Sequence, residues 1–559
     1  MVLWSAPTRW QRAAWGLGLA LVTGVQAQSP SRPTTTLTAH AELVSVPVIV
    51  RDKSGAHIHG LKKEDFTLAE EGKEQQIGVF EEIQAPSTPA QRRPGPPDQF
   101  TNLQGEDSSP RQLTIVVLDM INTPPADQTY AKNEVIKYLT EPGNADLPIS
   151  LLALNRTGVK LIHHFSNDPK QVATALNRVD RSQAPVTEDP SEAFLTNATD
   201  KLSTILQGFG EFQVDSEQAA VSFDRRRVIT LTLQSMQQIA QAFAGFPGRK
   251  TLVWAGGGFP FTINETTMAL KESGAGLDTL ANLAPLYEST WAALNQAQIS
   301  VYPVDVHGLG DLPGPSTVLV KKPLPDPFTH GQWLHAGTNG TFETFARATA
   351  GRAYFNKNGL QSAIHEAVDD SASYYLLGYY LHREGKKAGW RKLSVRVNQE
   401  GAQVLARTGF FLRPPLAKSE ETSKDAMEAA LDSPLEYTAI PITAKWQEVQ
   451  AVSEQGRKKA IFILTMPPGF AEVDETNRNR FAVDFWAAAR TPTGAPAGDT
   501  EQTMEGNFKP ETLDRFRSMG TDYRGALTVA PGDYVVRFVV RDRLSGRIGT
   551  VSAPLKVAP

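Results

Sequence analysis

Five short runs of almost purely apolar residues constrain this chain more than any other feature: LTIVVL (113–118), ISLLAL (149–154), TLVWAG (251–256), ISVYPV (299–304) and YYLLGYY (374–380). Each is too short to cross a bilayer, and none shows the polar alternation of a half-exposed strand, so each reads as a strand buried on both faces. Between them lie AKNEVIKYL (131–139), QSMQQIAQAFAG (234–245), YESTWAALNQAQ (287–298) and LQSAIHEAVDDS (360–371), with apolar residues at three- and four-residue spacing. Buried strands alternating with helices predict an α/β fold over residues 113–385, a doubly wound and mostly parallel sheet between helix layers.

The flanks follow a different pattern. From His40 to Glu82 apolar and polar residues alternate, broken by Ser54-Gly55 and Glu71-Gly72, and RKLSVRVNQ (391–399) and AQVLARTGFFL (402–412) alternate likewise around Glu400-Gly401. The β segments at 28–83 and 386–413 each hold too few strands to bury a core alone. Chain ends of an α/β unit commonly lie close together, which predicts one small β-sandwich built from both segments with the α/β unit inserted. Residues 84–112 are proline-rich and 414–434 are rich in Lys, Glu and Ser, and both read as linkers. The alternating runs of 435–559 predict a second, C-terminal β-sandwich.

The chain starts with an export address. Arg9 and Arg12 precede the apolar stretch Ala13–Val25, and Val25-Gln26-Ala27 supplies a small-x-small cleavage signal, so residues 1–27 read as a signal peptide with mature protein starting at Gln28. The expected location is exported: periplasmic, cell-surface or secreted. No later apolar run is long enough for a membrane helix. With 56 Lys+Arg against 60 Asp+Glu among 559 residues, the net charge of −4 gives no basis for a nucleic-acid partner. The absence of cysteine excludes disulfides, thiolate metal sites and Cys nucleophiles.

Several local motifs fall short of a site. Gly245-Phe-Pro-Gly248-Arg-Lys250-Thr251 has the wrong glycine spacing for a phosphate loop, and Lys250-Thr251 open a strand rather than a helix. His365-Glu366 starts like a zinc-protease helix, but Asp369 stands where the second His belongs. His57 and His59 could share a metal on one strand face but have no nearby third ligand, and His163 and His164 point to opposite faces of any strand. No G-x-S-x-G elbow occurs. The informative stretch is Val116-Val117-Leu118-Asp119-Met120-Ile121-Asn122-Thr123-Pro124-Pro125. A carboxylate leaving a buried strand meets ligands there, with Asn122 and Thr123 offering neutral oxygens. Thr123 before proline also reads as an ordinary helix N-cap.

The order apolar strand–Asp119–helix, then RKTLVWAGGGFP (249–260), ISVYPVDVHGLG (299–310), ATAGRAYFN (348–356) and SASYYLLGYY (371–380), resembles the von Willebrand factor A domain. It is most similar to a VWFA-related family of secreted bacterial proteins that share the Asp-x-x-Asn-Thr-Pro segment and the Tyr-Tyr-Leu-Leu-Gly-Tyr strand. The resemblance implies a degenerate metal-ion-dependent site with Asp119 and Thr123 in place, Ile121 replacing a serine, and Ala255-Gly256-Gly257-Gly258 where an aspartate is expected. Such a site, Asp119 with Thr123 and Asn122, would hold Mg²⁺ only weakly, with a dissociation constant in the roughly millimolar range. The function expected is an exported multidomain binding or adhesion-type protein with a protein partner, and not an enzyme. The alternatives are an envelope-polymer hydrolase using Asp119 and Asp305, or a purely architectural envelope protein.

Overall fold

The computed structural model describes residues 41–84, 98–103, 113–141, 149–166, 171, 174–176, 210–259, 262–264, 269–271, 283–306, 340–355, 360–382, 387–412, 420–451 and 456–558. The signal peptide and the start at Gln28 lie outside them. Of the described residues, 46% are in strands and 27% in helices. They form six sheets, five of them antiparallel throughout. The chain is therefore β-rich, which corrects the expected class of a doubly wound, mostly parallel α/β protein. The physical reason is that a strand buried on both faces has the same apolar composition whichever way its neighbours run. The run 374–380, counted among the parallel strands, shows this: Ser373–His382 pairs antiparallel with both Ala41–Arg51 and Val79–Gln84.

One sheet is mixed. Its order is Ile299–Asp305, Lys250–Gly256, Leu113–Asp119, Ile149–Asn155 and Gly158–Ser166, the first three pairings parallel and the last antiparallel. One face packs Ile115, Val117, Leu252 and Trp254 against the helices Gly210–Phe243 and Ala284–Gln296. The other packs Val116, Leu118, Val253 and Tyr302 against Pro125–Thr140 and Leu360–Ala372.

A small sandwich is assembled from remote parts of the chain. One sheet runs Gln403–Ala406, Ala41–Arg51, Ser373–His382, Val79–Gln84, and the other Gly409–Leu412, Gly389–Val397, Phe66–Glu70, Lys73–Glu74. Val48 lies opposite Ala406, and Leu393 opposite Glu70. Val46, Val48, Leu68, Leu377, Tyr379, Leu393 and Phe410 fill the space between the sheets. A second sandwich, within residues 443–557, encloses Phe462, Leu464, Phe485, Val536 and Phe538.

Both segments read as linkers contribute ordered structure. Gln99–Thr101 adds an edge strand against Thr443–Lys445, and Asn102 pins it, its Nδ2 donating to the carbonyls of Tyr437 and Ile440 at 2.7 and 2.9 Å. Glu420–Asp432 is a helix whose Met427 and Ala430 enter the core of the mixed sheet. Its apolar residues Ala426, Met427, Ala430 and Leu431 recur at helical spacing, a signal that the surrounding charge obscured.

Charge ties the first sandwich to the mixed sheet. Asp370, 1% exposed at the end of the helix Leu360–Ala372, meets Arg51 Nη2 of the sandwich at 2.8 Å and Arg352 Nε at 3.2 Å. It also accepts the Tyr302 hydroxyl at 3.0 Å, and Arg249 Nη2 donates to that hydroxyl at 2.5 Å. Next to it, a hydrogen bond from His57, with Arg51 beside it, pulls the Asp369 carboxyl down to about 2.

The second sandwich is held through Thr438. Its N–H donates to Gln241 O at 3.0 Å and its hydroxyl to Ala242 O at 2.8 Å, while Gly245 N–H donates to that hydroxyl at 2.9 Å. A Cβ at Gly245 would lie 2.0 Å from Thr438 O, so only glycine permits this approach. Gly245→Ala should therefore destabilise the protein by roughly 1–3 kcal/mol in urea unfolding, the usual range for forcing extra volume into a packed contact. Gly340→Ala, with open space around its Cβ, should lie within roughly 0.5 kcal/mol of the parent. Equal stabilities for the two variants would show that the junction is not closely packed.

Candidate functional site

Asp119 ends its strand with its side chain turned inward, and the residue is 1% exposed. A buried carboxylate must be hydrogen-bonded, and this one is. Oδ1 accepts the Asn122 backbone N–H at 3.0 Å; Oδ2 accepts Asn122 Nδ2 at 2.8 Å and the indole N–H of Trp254 at 2.9 Å. Trp254 comes from the neighbouring strand and is fully buried. Burial outweighs these donors and pushes the Asp119 carboxyl up to about 6.

Thr123 is not the helix cap that the sequence suggested. The residue preceding the helix is Pro124, and no side chain caps the helix. Instead the Thr123 hydroxyl accepts the backbone N–H of Gly257 at 2.9 Å, tying the first strand's loop to the glycine run of the next strand. Gly256 must be glycine because a Cβ there would sit 2.9 Å from the Asp119 Cβ. Gln128 closes the loop from below, its Nε2 donating to Met120 O and Thr123 O at 2.9 and 2.8 Å. Asn122 Nδ2 also reaches the Thr232 hydroxyl at 3.3 Å.

The three expected site residues are thus brought together, but as a hydrogen-bonded corner rather than an oxygen cage. N–H groups of Asn122 and Trp254 face the Asp119 carboxylate and occupy the side a cation would approach. Among the described residues, no three or more His, Asp or Glu gather as a metal-binding group. The donor set does not fit the expected Mg²⁺ site. Trp254 was missed in the sequence; its signal was a polar N–H in an otherwise apolar buried strand, which has to find an acceptor.

The other sequence candidates are dispersed. Asp119 and Asp305 end strands on either side of Lys250–Gly256, two strand spacings or roughly 10 Å apart, and Asp305 donates its backbone N–H to Tyr354 O at 2.9 Å. His59 Nδ1 pairs with Glu82 Oε1 at 3.0 Å while His57 Nε2 lies 3.4 Å from Asp369, so the two imidazoles serve separate carboxylates. His365 pairs with Glu141 at 2.9 Å. Lys250 directs Nζ to the carbonyls of Phe246 and Gly248 at 2.6 and 2.7 Å, and burial lowers it to about 7. The Gly245–Thr251 turn thus fills its own lysine site.

No family model matches the chain, and no curated protein matches it. Among solved structures, a glycoside hydrolase family 2 member from Bacteroides cellulosilyticus is 11% identical at a TM-score of 0.15, covering 33% of this chain and 20% of that one. A family 2 β-glucuronidase scores 0.15 at 9% identity, covering 20% and 11%. The TFIIH p34 N-terminal domain scores 0.16 at 10% identity, covering 35% and 81%. The match thus spans a fifth or less of the length of those glycoside hydrolases. Likeness at these scores carries no argument about function. Among the described residues, no helix is long and apolar enough to cross a membrane.

The buried carboxyl makes a pH-dependent signature. Folded Asp119 holds its proton to about 6, whereas the unfolded chain releases it near 4, so stability should fall as pH rises from about 4 to 6. A shift of about two pH units corresponds to about 3 kcal/mol. In urea unfolding across that range, Asp119→Asn should remove this slope; a variant with the parent's slope would show that Asp119 titrates as an exposed carboxyl.

Proposed function

We propose that this is an exported binding protein that holds the loop face at the carboxyl ends of its parallel strands toward a protein partner. The observation that carries the reading is where the long connections leave. The chain departs this end of the sheet after Gly256 and returns as a helix at Ala284, and it departs again after Asp305 and returns in the helical residues 340–348. Loops at the carboxyl ends of parallel strands are where binding residues concentrate, and both connections start from the end where Asp119, Thr123 and Gly257 are locked together.

The locked corner supports binding over chemistry. Asp119 is 1% exposed and faces three internal N–H groups, which keeps it out of reach of a substrate and makes it a rigid anchor for the loop. The flanking sandwiches are fixed to the same unit through Asp370 and Thr438, so the face is presented at a set angle. Export rests on the basic start, apolar run and cleavage signal of residues 1–27.

A photo-crosslinking residue at Pro124, exposed in the loop that follows Asp119, should give discrete protein adducts in the producing cell's envelope. The same probe at the exposed Asp533 of the C-terminal sandwich should give none. Adducts confined to position 533, or equal at both, would contradict the assignment of the binding face.

A further inference from the structure

A cleft of about 500 Å³ opens between the outer face of the first sandwich and the residues that follow Ile299–Asp305. That volume is in the range of small-molecule sites, and junctions between substructures are where such sites concentrate. The sandwich side is a two-by-two patch. Ile49 lies opposite Leu405 and Arg51 opposite Gln403; residues two apart share a face, so an apolar pair sits beside a polar pair. Arg352 and Glu366 line the cleft from the other side.

The arginines are not equivalent. Arg51 gives Nη1 to Gly55 O at 2.6 Å and Nη2 to Asp369 and Asp370. Arg352 meets Asp370 through Nε at 3.2 Å, and its side chain is 37% exposed. Its two terminal nitrogens form a planar fork suited to a carboxylate. At the rim, Arg347 pairs with Glu343 and cancels its charge. Arg352 is thus the cation the cleft offers at this edge, and a single charge beside Ile49 and Leu405 suits one carboxylate next to an apolar group.

We propose that this cleft binds a carboxylate carried next to an apolar side chain, the carboxylate on the Arg352 fork and the side chain over Ile49 and Leu405. A free hydrophobic amino acid and the C-terminal residue of a peptide share this chemistry. The proposal does not rest on the reading given to the strand-end loops.

Equilibrium dialysis of the full mature chain with N-acetylleucine, leucinamide, leucine and Ala-Ala-Leu tests it. N-acetylleucine should bind, and leucinamide, which lacks the carboxylate, should bind at least about tenfold more weakly. Tighter binding of leucine than of Ala-Ala-Leu identifies a free amino acid as the source, and the reverse identifies a peptide end. Arg352→Gln should weaken N-acetylleucine about tenfold. Gln403→Glu, at an exposed position, should also weaken it by placing a like charge beside the carboxylate, and it decides the matter if the arginine variant does not fold. No binding of N-acetylleucine, equal binding of leucinamide, or parental affinity in Gln403→Glu would overturn the proposal.

Discussion

The buried carboxylate of Asp370 is the constraint on which the assembly depends. A charge 1% exposed is tolerable only with partners, and its partners come from four places: Arg51 from the sandwich, Arg352 from a turn, Tyr302 from the mixed sheet and, through that hydroxyl, Arg249. Removing any one leaves the others badly compensated in a low-dielectric site. The sandwich strand carrying Arg51 is therefore held against a helix more than three hundred residues away in sequence. The antiparallel pairing of Ala41–Arg51 with Ser373–His382, which follows this helix directly, sets the register, and the ion pairs fix the helix end against it.

The corner at Asp119 repeats this logic on a smaller scale. Three N–H donors, two from Asn122 in the loop and one from Trp254 on the neighbouring strand, converge on one carboxylate, and the neighbouring Thr123 hydroxyl takes a fourth N–H from Gly257. Polar groups there are consumed in fixing the geometry of the loop that follows Asp119.

Much of the strand placement was legible in the sequence, because LTIVVL, ISLLAL, TLVWAG and ISVYPV are short apolar runs with no other stable role. Strand direction was not. Apolarity reports burial, and Ser373–His382 is buried by antiparallel neighbours as fully as a parallel strand would be. The supposed linkers failed for another reason. The strand Gln99–Thr101 is only three residues long, and Glu420–Asp432 carries its apolar stripe inside a charged composition. At the site, Asp119, Asn122 and Thr123 were found from their place after a buried strand. What they do depends on Trp254 and Gly257, which approach from the next strand and its end, so nothing in the sequence around Asp119 points to them.

A face presented at a set angle requires that the sandwich and the mixed sheet open together. Native-state hydrogen exchange on the parent and on Asp370→Asn measures this directly. The account predicts that the amides of Ala41–Arg51 and Lys250–Gly256 share one opening free energy, and that the substitution lowers both by the same amount. Separate opening energies, with Ala41–Arg51 alone affected, would contradict it.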